Sequence, residues 1–155
     1  MAYTANENQF DRWIPAEHEV RSAADVAVLQ VLHIKKGEKV LIISNPQEDV
    51  ARLSCALYDA AYSQGAFVTL MFQPVKSQMD FAEEAIAFAV ESEPDVLISM
   101  SAEKLGKDKR ALQSPYQKDG KKYTSAFNYQ LWGKQSLRAF WSPSVTLEQF
   151  VKTVP

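Results

Sequence analysis

The chain has little with which to hold a metal. Its 155 residues include one cysteine and two histidines: Cys55, His18 and His33. A zinc site draws at least three protein ligands from His, Cys, Asp and Glu. His18-Glu19 opens like a zincin helix, but Ser22 stands where that motif needs its second histidine. His18 therefore reads as a solvated residue of a helix's first turn. His33 falls in a last turn, where a cation suits the dipole. Carboxylates alone could bind a cation in principle, yet no two acids cluster at the predicted strand ends. A lone cysteine cannot form an internal disulfide, so a reducing, cytoplasmic compartment is the default. Cys55 falls in mid-helix. Arg52 could reach it, but a packed thiol is the stronger reading.

Glycine is missing where phosphate chemistry would want it. The turn after the first apolar run is Ser44-Asn45-Pro46. It offers neither the dinucleotide fingerprint nor a P-loop, and no G-x-S-x-G elbow occurs. The helix N-terminus at Gln47 could attract an anion, as any such terminus can. Charge of one sign is lacking too. Seventeen Lys and Arg stand against nineteen Asp and Glu, a net charge of −2. That gives no electrostatic case for nucleic acid or an anionic membrane. No apolar stretch approaches the roughly 18 residues of a membrane span, and Met1 to Arg12 has no secretory h-region.

What the chain does have is three continuously apolar runs: Val40–Ser44, Phe67–Phe72 and Val96–Met100. A strand with one wet face alternates; a strand covered on both faces need not. Helix-length segments separate the runs, Gln47–Gln64 and Asp80–Glu91. Repeated strand–helix–strand units predict a three-layer α/β/α sandwich with a mostly parallel sheet, Rossmann- or flavodoxin-like, in a single domain over 1–155. Met1–Pro15 reads as an extended lead-in and Glu17–Ile34 as a first helix, with Gly37 beyond its end. Ala23–Leu32 carries only Asp25 and Gln30 as polar residues, so that helix needs a partner on more than one flank. Asn45-Pro46-Gln47-Glu48 supplies an N-cap and a first-turn proline for the next helix. Val50, Leu53, Leu57 and Ala61 form its stripe; Phe81, Ala85 and Phe88 repeat one in the third helix. Ser101 is predicted to cap a short helix reaching Leu112. Leu137–Trp141 reads as a fourth strand, and Thr146-Leu147-Glu148-Gln149 as a capping box opening a last helix.

Ser114–Gly133 breaks the pattern. Tyr116, Tyr123, Phe127, Tyr129, Trp132, Phe140 and Trp141 lie in or beside it, with Lys118, Lys121 and Lys122. Such a mixture can stack bases, but the acidic balance opposes that. Packing on a neighbouring domain or subunit and covering one sheet edge are equal alternatives. Parallel sheets place ligands at the carboxyl ends of their strands. Ser44, Asn45, Gln73, Ser99, Ser101, Ser142 and Ser144 stand there. Ser44, Asn45, Ser101 and Ser142 are the candidate cleft residues. They can hydrogen-bond a ligand, but none is a general acid or base near neutral pH. Their competing reading is as caps and turn formers.

Three stretches carry a family resemblance: Leu32–Ile42; Leu57-Tyr58-Asp59-Ala60-Ala61 with Gly65-Ala66; and Pro94-Asp95-Val96. A fourth is Arg138-Ala139-Phe140-Trp141-Ser142-Pro143, followed by Phe150 and Thr153-Val154-Pro155. Together they resemble the N-terminal domain of the metalloaminopeptidase family of aminopeptidases T and S. The resemblance implies an N-terminal scaffold and substrate-cleft domain, itself without catalytic, cofactor or metal residues. It implies a C-terminal catalytic domain as partner, holding two divalent metal ions such as zinc or cobalt and acting on peptides, in a full-length homodimer. That family is also similar to an iron-dependent dihydroxypyridine ring-cleaving dioxygenase, which the first domain alone does not separate from a peptidase. From another class, a stand-alone ligand-binding or interaction domain fits the same residues. A nucleotide- or FMN-binding flavodoxin-like module fits less well, because the first turn lacks glycine.

Overall fold

A computed structural model describes residues 18–142 and 146–153. The lead-in at 1–15, Pro143 and Ser144, and the closing Val154-Pro155 lie outside the described residues. The three apolar runs are strands, β1 (Lys39–Ser44), β2 (Phe67–Phe72) and β3 (Val96–Met100), joined by α2 (Glu48–Ser63) and α3 (Glu84–Glu91). A fourth strand, β6 (Arg138–Trp141), completes a four-stranded sheet of order β2-β1-β3-β6. All its pairings are parallel, with Val40 opposite both Val68 and Val96. Every residue of β3 is buried, and all of β1 except Lys39. This is why neither strand alternates.

The sheet is the middle of three layers. On one face, α2 lays Val50, Leu53, Leu57 and Ala61 against β1 and β3. The first helix, α1 (His18–Val26), meets α2 and the last helix, α6 (Leu147–Thr153). Ala23, Ala24, Ala27 and Val28 are buried there, so α6 is the second partner that the apolar first helix requires. The predicted capping box of α6 forms: Gln149 N donates to Thr146 Oγ1 at 3.2 Å and Thr146 N to Gln149 Oε1 at 3.1 Å. The other face is covered by α3 and by the segment after it, through Ile86, Val90, Ala126 and Leu137. Among the described residues no helix is long and apolar enough to cross a membrane.

Four local expectations change. The first helix does not run regularly to Ile34. It widens into a π turn over Ala27–Val31, where Leu32 N reaches Ala27 O at 2.9 Å, and His33 turns left-handed at φ 51°. The helix cap before α2 is Gln47, whose Oε1 accepts from Val50 N at 3.3 Å; the side chain of Asn45 is engaged elsewhere. The third helix begins at Glu84 rather than Asp80, because Asp80 closes a turn by accepting from Ser77 N at 2.8 Å. That bond is the main cause holding the Asp80 carboxyl below its usual range. With that later start Phe81 falls before the helix, Ala85 and Phe88 of the predicted stripe are exposed, and Ile86 and Val90 are the buried pair. Phe81 and Phe88 are 43% and 47% exposed, beneath Lys107 (4.6 Å) and Arg110 (4.7 Å). Ser101 caps nothing. Asp108 caps α4 (Lys109–Gln113), its Oδ1 accepting from Ala111 N at 3.0 Å. The chain between returns along the loop after β2: Lys104 bridges Lys76, and Lys107 bridges Phe81. Gly106, at φ 100°, makes that approach possible, since a Cβ there would lie 2.5 Å from Ala82 N.

The aromatic segment is ordered structure. Strands β4 (Tyr116–Lys118) and β5 (Lys121–Tyr123) form an antiparallel hairpin. Its turn is Asp119-Gly120, both with positive φ. Tyr116 stacks on Tyr129 with ring centres 4.6 Å apart, and Tyr123 meets the same ring edge-on. Burial first, then Glu91, pushes the Tyr116 phenol above its ordinary range. A short helix, α5 (Ala126–Asn128), then docks on α3. The segment therefore packs within its own domain, against a sheet face and α3, and leaves Trp132 62% exposed.

Arg138 ties the outer strand to the first helix. Its Nε donates to Leu32 O at 3.0 Å, and its guanidinium also contacts the Glu38 carboxylate. Arg138→Ala is expected to lower unfolding free energy by about 1–2 kcal/mol, chiefly by orphaning that carbonyl. Urea unfolding of the two chains measures it. Arg138→Lys recovers little of the loss, because an ammonium lacks the planar fork.

Candidate binding cleft at the strand ends

In a sheet of order β2-β1-β3-β6, the chain leaves β1 for one side and returns to the other. The crevice for a ligand is then expected between the carboxyl ends of β1 and β3. The side chain of Asn45 fills that place. Asn45 is fully buried. Its Nδ2 donates to Gln73 O at 2.9 Å and lies 3.3 Å from Pro74 O. Its Oδ1 accepts from Ala102 N at 2.6 Å. One amide thus joins the loops after β1, β2 and β3. Ser44, also fully buried, places its Oγ 3.2 Å from Val50 O and 3.4 Å from Met100 O. Gln73 spans the next layer out, donating to Leu105 O at 2.8 Å and accepting from Glu83 N at 3.0 Å. Ser44, Asn45 and Gln73 have their polar groups committed to the main chain.

The open space lies one strand over, at the ends of β3 and β6. A cavity of about 250 Å³ is lined by Ser99, Ser101, Glu103, Lys104, Leu105, Phe127 and Trp141. Ser99 Oγ and Ser101 Oγ are 3.3 Å apart and buried. Phe127 meets Trp141 edge-to-face, ring centres 5.9 Å apart at 87°. The Trp141 ring is 52% exposed and forms the outer wall. Ser142 extends the ladder, its N donating to Ser99 O at 3.1 Å. Of the four candidate residues Ser101 alone lines the cavity, and Ser142 stands beside it. Phe127, Trp141, Leu105, Glu103 and Lys104 were not foreseen as cleft residues. A larger cavity of about 400 Å³ lies between α3 and α5 and shares Leu105 and Phe127 as wall.

The chemistry available here is that of recognition: two hydroxyls, an indole, a phenyl ring and one charge of each sign. Cys55 lies elsewhere, 2% exposed within α2. Burial, and then Asp59, pushes its thiol from 9.0 to about 11. Folded protein should therefore react with iodoacetamide at pH 8 far more slowly than urea-unfolded protein, by about 100-fold or more. Because the folded value is the higher one, stability falls as pH climbs from 9.0 towards about 11. Mass spectrometry of timed samples checks the first expectation. His18 and His33 are both exposed, and among the described residues no three of His, Cys, Asp and Glu gather as a metal site.

No family model matches the chain, and none of the curated proteins does. Among solved structures, the 2,5-dihydroxypyridine dioxygenase of Pseudomonas putida KT2440 aligns at 14% identity and a TM-score of 0.41. The alignment covers 53% of this chain and 27% of that one.

Proposed function

We propose that the chain is the substrate-cleft domain of a two-domain, metal-dependent aminopeptidase of the aminopeptidase T and S type. In this reading it walls the site, while the reacting groups and two divalent metal ions belong to a further domain. The observation that carries it is an open cleft at the strand ends furnished for recognition, with Trp141 on its rim. The Leu32–Ile42 and Arg138–Pro143 stretches add support, because Arg138 joins them in space. Exposed apolar side chains, Leu29, Val31, Phe67 and Met79 among them, offer area for a partner domain or subunit. A cytoplasmic setting belongs to the same reading.

The test has two arms. The gene is sequenced past codon 155, and the whole product is assayed on a leucine anilide with zinc or cobalt. An open frame running into Glu- and His-containing elements, with activity absent from residues 1–155 alone, is expected. A stop codon directly after Pro155, or peptidase activity in the 155-residue chain, overturns it. A stand-alone ligand-binding domain is the second reading. It is favoured by the same cavity, which is formed within this chain.

A further inference from the structure

We propose that the cavity at the ends of β3 and β6 binds a small aromatic molecule, of one or two rings, that carries a carbonyl or carboxylate oxygen. Size comes first. An apolar space of roughly 150 Å³ accommodates benzene, whereas ligands of drug or nucleotide size occupy roughly 300–1,000 Å³. A space of about 250 Å³ fits a substituted ring and is too small for a nucleotide. Shape and polarity follow from the wall. Trp141 and Phe127 both line the space, with their ring planes at right angles. Such a corner receives a flat ring by stacking on one side and an edge contact on the other. Leu105 completes the apolar lining.

The oxygen is called for by the serine pair. Two hydroxyls carry two hydrogens, and the bond between Ser99 Oγ and Ser101 Oγ uses one of them. Neither hydroxyl has a further partner among the described residues. The second hydrogen is therefore available to a group in the cavity, which both serines line. An acceptor brought by a ligand takes that hydrogen in a largely apolar pocket, where such a bond is stronger than in bulk water. Lys104 and Glu103 also line the space and enter no ion pair among the described residues. Lys104 adds a cation for a carboxylate, and Glu103 an acceptor for an amide N–H, so both carbonyl classes have a second contact.

Binding needs nothing beyond this chain, so its failure and the failure of the aminopeptidase reading are separate outcomes. The 155-residue chain is titrated with benzoate, benzamide and toluene, followed by tryptophan fluorescence and ligand-observed NMR. Benzoate or benzamide is expected to saturate within about 10 mM, and toluene to bind more weakly. Since either serine alone still has one hydrogen to donate, removing both hydroxyls, Ser99→Ala with Ser101→Ala, should weaken the oxygen-bearing probe about tenfold while leaving toluene unchanged. Trp141→Phe should weaken both, and because Trp141 is half exposed the variant keeps its fold, which its melting curve verifies. No saturable binding of any probe overturns the proposal. So does binding that neither the double serine variant nor Trp141→Phe alters, or a loss in the double serine variant that is equal for toluene.

Discussion

Asn45→Ala is expected to destabilise the fold by about 3–4 kcal/mol, far more than its removed atoms suggest. The substitution deletes no apolar contact of consequence. It strips partners from Gln73 O, Pro74 O and Ala102 N, which Asn45 reaches from a fully buried position. Each orphaned buried group costs about 1–3 kcal/mol, reduced where water enters. Asn45→Asp gives a sharper test, because it keeps the shape and replaces the donor by an oxygen. That oxygen faces the Gln73 carbonyl, and the buried carboxyl has no cation to pair with on these contacts. Its folded pKa should therefore lie above the unfolded value. The sign follows: the variant is closest to wild type below the ordinary carboxylate range, where the introduced carboxyl is protonated in both states, and the gap widens as pH rises. Urea titrations of the three chains from pH 4 to pH 8 measure the difference. A cost below about 1 kcal/mol for Asn45→Ala, or a gap that does not grow with pH, would mean that the three loops are held by something other than this amide.

The same residue marks what could and could not be read beforehand. The sheet was legible, because burial on both faces leaves β1 and β3 as unbroken apolar runs in any order of residues. The capping box at Thr146 was legible because its partners are three residues apart. Asn45 looked like a helix cap for the same local reason. Its true partners lie 28, 29 and 57 residues away, where no periodicity can point. The third helix shows a different failure. Phe81 and Phe88 are the largest apolar residues of their segment, and side-chain size set the predicted stripe. Lys107 and Arg110 give those rings cationic cover at the surface, and the smaller Ile86 and Val90 take the core. The cleft was half legible. Ser99 and Ser101 are two apart, so an extended chain turns both hydroxyls to one side. Phe127 and Trp141, which wall the space they face, come from a helix and an edge strand that only the fold brings together.

Phe150→Ala is the second large effect, about 3–5 kcal/mol. Phe150 is 1% exposed and belongs to the core shared by α1, α2 and the sheet. Its ring meets Phe140 of β6 edge-to-face, centres 6.2 Å apart at 84°, a geometry that adds to simple burial. For a chain of this length the loss corresponds to a fall in Tm of about 10 °C or more, measurable by calorimetry. Phe150→Leu, which refills most of the volume, should recover at least half. The size of the effect decides more than the stability of one helix. If α6 is firmly docked, it covers one flank of α1, and only the outer side, with Leu29 44% and Val31 52% exposed, is left to a partner. If Phe150→Ala costs less than about 1 kcal/mol, α6 does not hold its place. The flank that α6 covers is then free as well, while α2 still holds the inner side, and the contact offered to a second domain would be two sides of the first helix rather than one.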